Sequence, residues 1–443
     1  MTYSVIVFFS VAVWRSKGFY FNWAPWLVLA FVAWTYVRIL RPPKFVPIAT
    51  GPLELCFYWV YPWISALLIA DNPNFMYAGA SLGLAWLLFR LAPIGLNMIP
   101  SRILPPFVIL FFIAVLSLSP NPGIDVFRSD SLAAEFLLHG LNPYSQKYPD
   151  IYHGQFDYHP GFLYWPGALL LQTLSKLICR DVRGVLVLAW WLGALFFPKS
   201  YTHYRALRKI WWFIPFIPYA LEQGWLDPLL SLAAAITLWA MRNKRWWLIA
   251  VAIAMACSVK QYGFVIGVFP LGALALDREW KMLAKAGLVS LAILLVLLGS
   301  FLIWDIRGFL TMTVNEHFSA ASRTDSLNFA AFWVRWAGHP FSVWAQIGMS
   351  LYGFGLATFH LLRNYARGRL SVIAESWAMS FGFAMMFGKF AFCNYYWLLI
   401  SFLILSLAFE QPLEGGLPCP SVVDEAPQQN NLHREESCDR NET

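Results

Sequence analysis

One acidic residue, Asp125, occupies a position in the sequence where a carboxylate could act as a general base. It directly follows a long apolar stretch, behind the chain-breaking residues Pro122 and Gly123, so we expect it at or near a membrane surface. A carboxylate there could take a proton from a hydroxyl group of a lipid-borne acceptor as that oxygen attacks. Two alternatives remain: Asp125 only caps the loop, or Asp130 on the same segment is the reacting carboxylate.

Asp125 belongs to a long polar segment, residues 119–160, that predicts a short helix. Ser129 or Asp130 could cap this helix and Gly140 could end it, because Ser and Asp accept from the first free N–H groups and Gly suits the position after a helix. With about ten residues the helix is too short to cross a bilayer, and one of its faces is apolar. We therefore expect it to lie along the membrane interface.

The overall composition requires a membrane setting. Of 443 residues, 59% are hydrophobic and only 13% are charged, whereas about 25% are charged in a typical soluble chain. Such a chain lacks the polar groups that would cover its apolar surface in water. This excludes a soluble enzyme, a disordered protein and a coiled coil, and it leaves an integral membrane protein with many spans.

Apolar windows and basic turns together predict the topology. The windows favour an all-α, polytopic fold with roughly 12–14 transmembrane helices. Basic residues favour the inner side, which puts the segments 119–160 and 305–340 outside as two large extracytoplasmic loops. An odd number of crossings is needed between the first loop and the basic cluster at 242–245. We therefore expect the window 183–198 not to cross fully.

The charge distribution separates the chain into two predicted parts. Residues 1–409 form the multi-span domain, and 410–443 carry two basic and eight acidic residues. This polar end, with a net charge of −6, is expected to be an acidic, disordered cytoplasmic tail. The remaining basic residues lie between spans and do not cluster in one domain, so no nucleic-acid partner is expected. The six cysteines lack metal-site spacing, and no metal site is predicted.

Several cations could bind a phosphate group near Asp125. Lys260 follows the apolar window 246–258 at its predicted outer end. A lysine at such a position either binds an anion or extends its side chain to the membrane interface. His317 and Arg323 lie in the second outer loop and could donate to phosphate oxygens. The alternatives are a packed histidine and an ion pair between Arg323 and Asp325. Arg128, three residues after Asp125, joins this group of phosphate-binding candidates.

A combination of short motifs resembles a known family. The acidic residue after a span, the interfacial helix and the following loop are similar to the first luminal or periplasmic loop of GT-C superfamily glycosyltransferases, closest to mannosyltransferase-like members that use polyprenyl-phosphate sugars. The motifs are His139-Gly140-Leu141-Asn142-Pro143-Tyr144, Tyr158-His159-Pro160-Gly161, Glu222-Gln223-Gly224-Trp225-Leu226-Asp227 and Ser258-Val259-Lys260-Gln261. The likeness covers roughly residues 103–340, and the spans before it have no counterpart in the family pattern.

The resemblance implies a reaction and its participants. Asp125 would be the catalytic base of an inverting transfer, with Tyr144, Gln223 and Asp227 as substrate-binding residues. The donor would be a hexose, with mannose favoured, on a polyprenyl phosphate; the acceptor would be a glycolipid or glycan. Neither a metal nor another cofactor would be needed. The location would be the cell (inner) membrane, or the endoplasmic reticulum membrane in a eukaryote.

Two other classes of function remain open on the sequence. A transporter or flippase of lipid-linked sugars is the first alternative, and it would bury ionisable residues within its spans. Asp227, near the outer end of a span, is the main residue of that kind. A structural subunit of a membrane complex is the second alternative. It would have no polar cleft where the two outer loops meet.

Overall fold

The computed structural model describes residues 104–154, 159–198, 217–366 and 369–410. It also describes isolated positions, namely Tyr20, Ala30, Ala33, Leu207, Arg208, Trp211, Trp212 and Ile214. The protein is all-α: the described residues are mainly helical and contain no β-strand. The predicted spans before residue 103 and the predicted acidic tail from 411 onward lie outside the described residues.

We number the α-helices that the structure delimits in chain order. The first eight are α1 Leu104–Leu118, α2 Asp125–Leu138, α3 Pro166–Cys179, α4 Gly184–Gly193, α5 Ile217–Glu222, α6 Asp227–Arg242, α7 Trp246–Val259 and α8 Phe264–Leu276. The others are α9 Trp280–Trp304, α10 Ile306–Leu310, α11 Glu316–Ser319, α12 Phe329–Ala337, α13 Val343–Asn364, α14 Ser371–Phe387 and α15 Cys393–Ala408. A 3₁₀ turn, Ala194–Phe196, extends α4.

The helices form a bundle with two distinct ends. At the first, which we call the loop end, the two predicted outer loops meet, and the Ser145 hydroxyl donates to the Asp305 carboxylate at 2.5 Å. At the second, the basic end, the turn after α6 contains Arg242, Lys244 and Arg245. Lys285 at the start of α9 lies over the ring of Trp246 at the start of α7, with 5.5 Å between Nζ and the ring centroid.

The core of the bundle is rich in tryptophan. Trp190 of α4 stacks on Trp211 with 4.7 Å between ring centroids, and Trp397 of α15 packs edge-on against Trp190 at 4.0 Å. All three are fully buried. Replacing a buried aromatic residue of this kind by Ala typically costs about 3–5 kcal/mol. This cluster therefore fixes α4 against α15.

Among the described helices, one is both long and apolar enough to cross a bilayer. It is α9, with 25 residues, or about 37 Å at 1.5 Å per residue. A bilayer core is about 30 Å thick. Further apolar helices of 10–17 residues are shorter than a full crossing, namely Val108–Leu118 within α1, α3, α4 with its 3₁₀ extension, α7, α8, α14 and α15.

The helix in the first loop begins earlier than the sequence predicts. We expected Ser129 or Asp130 as its cap, but α2 begins at Asp125 and its cap position, Ile124, makes no side-chain capping bond. The cap assignment of Asp130 is therefore wrong, since this residue lies inside the helix and is fully buried. The predicted end is confirmed: α2 ends at Leu138, and Gly140 follows with φ +72°.

The contacts around Arg183 place α3 and α4 differently. The window 183–198 was expected not to cross fully, and α4 with its 3₁₀ extension is shorter than a full crossing. Its end lies toward the basic end, where Phe196 packs on Trp239 near the end of α6, with 5.7 Å between ring centroids. Both ends of α3 lie at the loop end. The N–H of Trp165, at its start, donates to the carbonyl of Val259 at 3.3 Å. Just beyond its end, Arg183 bonds the carbonyls of Ser119 and Glu222.

Candidate functional site

The carboxylate of Asp125 lies at the first residue of α2, partly exposed at the loop end. Its Oδ1 accepts from the N–H of Val126 at 2.9 Å, and a negative charge is favourable at a helix N-terminus. Burial nevertheless raises the pKa of Asp125 above its ordinary value. The N–H of Val126, the charge of Arg323 and a hydrogen bond from Tyr152 counteract that increase. A carboxylate with a raised pKa is a stronger base than one in water.

The second carboxylate of α2, Asp130, has a different environment. It is fully buried, and Oδ2 lies 2.5 Å from Nε2 of Gln172 on α3. Burial raises the pKa of Asp130 to about 8, although Gln172 and the charge of Lys260 oppose this. At neutral pH Asp130 is therefore mainly protonated and cannot accept a proton. Of the two predicted bases, Asp125 is the one with solvent access.

Lys260 lies directly after α7 and is almost completely buried, at 3% exposure. Its Nζ donates to Oδ2 of Asp227, the first residue of α6, at 2.8 Å, and to the hydroxyl of Tyr262 at 3.0 Å. Asp227 also accepts from Tyr262 at 2.7 Å and from Asn394 at 2.9 Å. The alternative that Lys260 extends to the interface is therefore wrong. Lys260 and Asp227, predicted as phosphate and substrate ligands, form a buried ion pair with each other.

His317 of α11 packs against the segment that follows α7. Its Nε2 lies 2.8 Å from Nε2 of Gln261 and 3.3 Å from the carbonyl oxygen of Leu163. Burial and the nearby charges of Lys260 and Lys389 lower the pKa of His317, despite the hydrogen bond at Leu163. The imidazole is therefore neutral at pH 7. A neutral ring supplies no positive charge to an anion.

Arg323 connects the second loop to Asp125. Its guanidinium group forms a two-pronged ion pair with Asp325, with Nε–Oδ1 and Nη2–Oδ2 distances of 2.7 and 2.6 Å. The same group lies over the ring of Phe392 at 5.2 Å and acts electrostatically on Asp125. Its side chain is 27% exposed. The predicted ion pair with Asp325 is confirmed, and the charge of the guanidinium group acts on the candidate base.

The remaining predicted residues lie in different settings. Arg128 is exposed on α2. Tyr144 is buried, donates to the carbonyl of Tyr164 at 2.9 Å and packs against several aromatic rings, which is a structural position. Gln223 is also buried, and its amide donates to Glu222 at 2.9 Å. Neither Tyr144 nor Gln223 is exposed at the loop end.

Sequence reasoning did not assign a site role to Tyr152, Gln172 or Lys389. Nζ of Lys389 donates to the carbonyls of Phe318 and Ala320 at 2.6 and 2.7 Å and thereby holds the end of α11 beside His317. A signal for Lys389 was present, because it is a lone lysine between the two apolar segments that become α14 and α15. Lys260 was singled out by the same pattern. Tyr152 belongs to a stretch of Tyr, His and Asp residues in the first loop that suits either a sugar or a membrane interface, whereas Gln172 carries no comparable signal in the sequence.

The site thus has an exposed and a buried part. The exposed part is the carboxylate of Asp125 with Tyr152 and Arg323, which act on it. The buried part consists of two polar pairs, Lys260 with Asp227 and Gln172 with Asp130. The members of the site come from both loops and from the ends of α6, α7 and α15. No protein-family model, curated protein or solved structure matches this chain.

Proposed function

We propose that this protein is a membrane glycosyltransferase that moves a hexose from a polyprenyl-phosphate donor to a glycolipid or glycan acceptor. The observation that carries the proposal is Asp125, a partly exposed carboxylate of raised pKa on which the charge of Arg323 acts. A base for the acceptor and a cation for the leaving phosphate are the two groups that such a transfer requires. The motifs shared with GT-C enzymes favour mannose as the sugar.

A membrane location is supported by the surface of α9. This helix of 25 residues is long enough to cross a bilayer, and only 17% of its most apolar stretch is buried within the protein. Large apolar side chains lie exposed along it, including Leu288 and Val296, each at 68% exposure. Water would disfavour such a surface, whereas lipid chains would cover it. Multi-pass insertion with the loop end on the extracytoplasmic side is part of the proposal.

The proposed reaction is a direct displacement. The carboxylate of Asp125 takes the proton of the acceptor hydroxyl as that oxygen bonds to the anomeric carbon of the sugar. The bond from this carbon to the phosphate oxygen breaks, and its electron pair stays on the phosphate. Arg323 stabilises the departing phosphate by charge, with Arg128 as a further donor. Attack on the face opposite the phosphate inverts the anomeric configuration.

Lys260 has an indirect part in the proposed site. It lies in an ion pair with Asp227 that is buried within the protein. We assign it to holding α6 and α7 together beneath the loops. Arg323 is more accessible to a phosphate, because its side chain is 27% exposed whereas that of Lys260 is 4% exposed.

The test is sugar transfer in membranes that contain the protein, with radiolabelled polyprenyl-phosphate mannose and, in parallel, glucose. Asp125→Asn keeps the size of the side chain and removes the base, so transfer should fall at least ~10²-fold. Asp130→Asn is the matched control on the same helix. Because Asp130 is already neutral, transfer should stay within a few-fold of the wild type. Full activity of Asp125→Asn would contradict the proposal.

A transporter or flippase of lipid-linked sugars is the second candidate. It is favoured by the buried pair of Lys260 and Asp227, because ion pairs within membrane proteins often mark a transport path. Both residues lie at helix ends at the loop end, however, and not in the middle of a span. Reconstituted vesicles separate the two functions. A flippase would expose a labelled lipid-linked sugar on the opposite leaflet without forming a new glycosidic bond.

A further inference from the structure

A tyrosine of the first loop contacts the candidate base directly. The hydroxyl of Tyr152 donates to Oδ1 of Asp125 at 3.3 Å and accepts from the N–H of Asp125 at 3.5 Å. The second hydrogen bond to Oδ1 comes from the N–H of Val126 at 2.9 Å. Tyr152 thus contacts both the backbone and the side chain of Asp125, across 27 positions in the chain.

The turn that presents Tyr152 is fixed by a neighbouring carboxylate. Oδ1 of Asp150 accepts from the N–H of Tyr152 at 2.9 Å, and Oδ2 accepts from the N–H of Gly154 at 2.6 Å. These bonds lower the pKa of Asp150. The turn includes two residues in the left-handed region, His153 with φ +52° and Gly154 with φ +77°. A side chain that bonds its own backbone in this way stabilises such a turn.

We propose that Tyr152 is a positioning residue that holds the Asp125 carboxylate by Oδ1 and directs Oδ2 to the acceptor hydroxyl. This inference rests on the proposed function, because it assigns Asp125 the part of the base. A carboxylate fixed by one oxygen has less rotational freedom to lose when the acceptor binds. Correct orientation of a reacting group is a large source of rate in enzymes.

The bond from Tyr152 also affects the proton affinity of Asp125. A hydrogen bond donated to a carboxylate favours its charged form, so loss of the Tyr152 hydroxyl should raise the pKa of Asp125. The other charged and titratable neighbours that act on Asp125 or lie beside it are Arg323 from the second loop, Asp130 on α2, Tyr164 before α3, and Arg183, whose guanidinium lies over the ring of Phe127. They are unchanged in a Tyr152→Phe variant.

The experiment measures protonation of Asp125 without requiring a substrate. A carbodiimide reacts with protonated carboxyl groups, so the labelling of Asp125 against pH, quantified by peptide mass spectrometry in the full-length protein, gives a midpoint. Tyr152→Phe should move that midpoint upward by roughly 1 pH unit, as expected for loss of a hydrogen bond to a charged group. An unchanged or lower midpoint overturns the inference.

Tyr148→Phe is the matched control. The hydroxyl of Tyr148 lies in the same loop and donates to the carbonyl of Pro143 at 2.9 Å, not to Asp125. This variant should leave the Asp125 midpoint unchanged. If both variants shift the midpoint equally, the loop as a whole sets the protonation of Asp125, and the specific part of Tyr152 is refuted.

The two proposals fail in different ways. If transfer requires Asp125 but Tyr152→Phe leaves the labelling midpoint unchanged, the glycosyltransferase proposal stands and the inference about Tyr152 fails. Where transfer is measurable, Tyr152→Phe should lower its rate by about tenfold and shift the acidic limb of its pH profile upward by the same amount as the labelling midpoint. A merely structural loss would lower the rate without that shift.

Discussion

The pH dependence of the free energy of unfolding tests whether burial raises the pKa of Asp130. Folded Asp130 has a pKa of about 8, against an ordinary value of 3.8. Between these values the unfolded chain has lost the proton and the folded protein keeps it, so the free energy of unfolding falls as pH rises. At 1.36 kcal/mol per pH unit, the cost at pH 7 is about 4 kcal/mol. Below pH 4 both states are protonated and the cost disappears.

Replacing Asp130 by Asn removes this cost. The amide is neutral at every pH, and its N–H₂ group can bond Oε1 of Gln172, a buried atom that has no partner in the structure described here. We expect Asp130→Asn to raise the unfolding temperature of the detergent-solubilised protein by several degrees at pH 7.5 and by little at pH 4. The wild type should itself lose thermal stability between pH 5 and 7.5. Tryptophan fluorescence during heating measures both quantities.

Asp150 provides the control for that measurement. It also lies in the first loop, but hydrogen bonds from the N–H groups of Gly154 and Tyr152 lower its pKa. An Asp150→Asn variant should therefore show the pH dependence of the wild type and gain no stability at pH 7.5. The reasoning about Asp130 is refuted if the wild type is equally stable at pH 5 and 7.5, or if Asp130→Asn is less stable than the wild type at pH 7.5.

Three further variants test the ion pairs of Lys260 and Arg183 by the same heating assay. Lys260→Met leaves Asp227 buried without its cation and should lower the free energy of unfolding by about 3–5 kcal/mol. The double variant with Asp227→Asn should recover most of that loss. A double variant as unstable as the single variant would contradict the pairing. Arg183→Gln removes the fully buried guanidinium that bonds Asp181 and two helix-end carbonyls. It should cost at least about 3 kcal/mol, and a variant as stable as wild type would contradict this.

The sequence predicted the helices of the second half of the chain well. The apolar windows 371–390 and 392–409 correspond to α14 and α15, and the window 284–304 to the greater part of α9. The end of α7 before Lys260 was also predicted within one residue. These helices are continuous apolar segments with a polar residue or a glycine at their ends, and such a pattern depends little on tertiary contacts.

The site was only partly predictable. Asp125 and Arg323 were identified from position and residue type, and the structure brings them close enough for their charges to interact. The difference between Asp125 and Asp130 was not visible, because it depends on the burial of Asp130 against Gln172 of α3. The pairing of Lys260 with Asp227 was not visible either. A sequence gives the type of a charged group but not which opposite charge lies next to it.

The position of α3 shows the same limit for topology. The rule that basic residues lie inside assigned Arg183 to the inner side, which led to the expectation that 183–198 does not cross. In the structure the guanidinium of Arg183 is neutralised by Asp181 at 2.6 Å and bonds the carbonyls that end α1 and α5. A paired, buried arginine loses its preference for the inner side, because that preference belongs to a free charge near the membrane surface. The expectation for 183–198 therefore rested on a residue whose charge is compensated inside the protein.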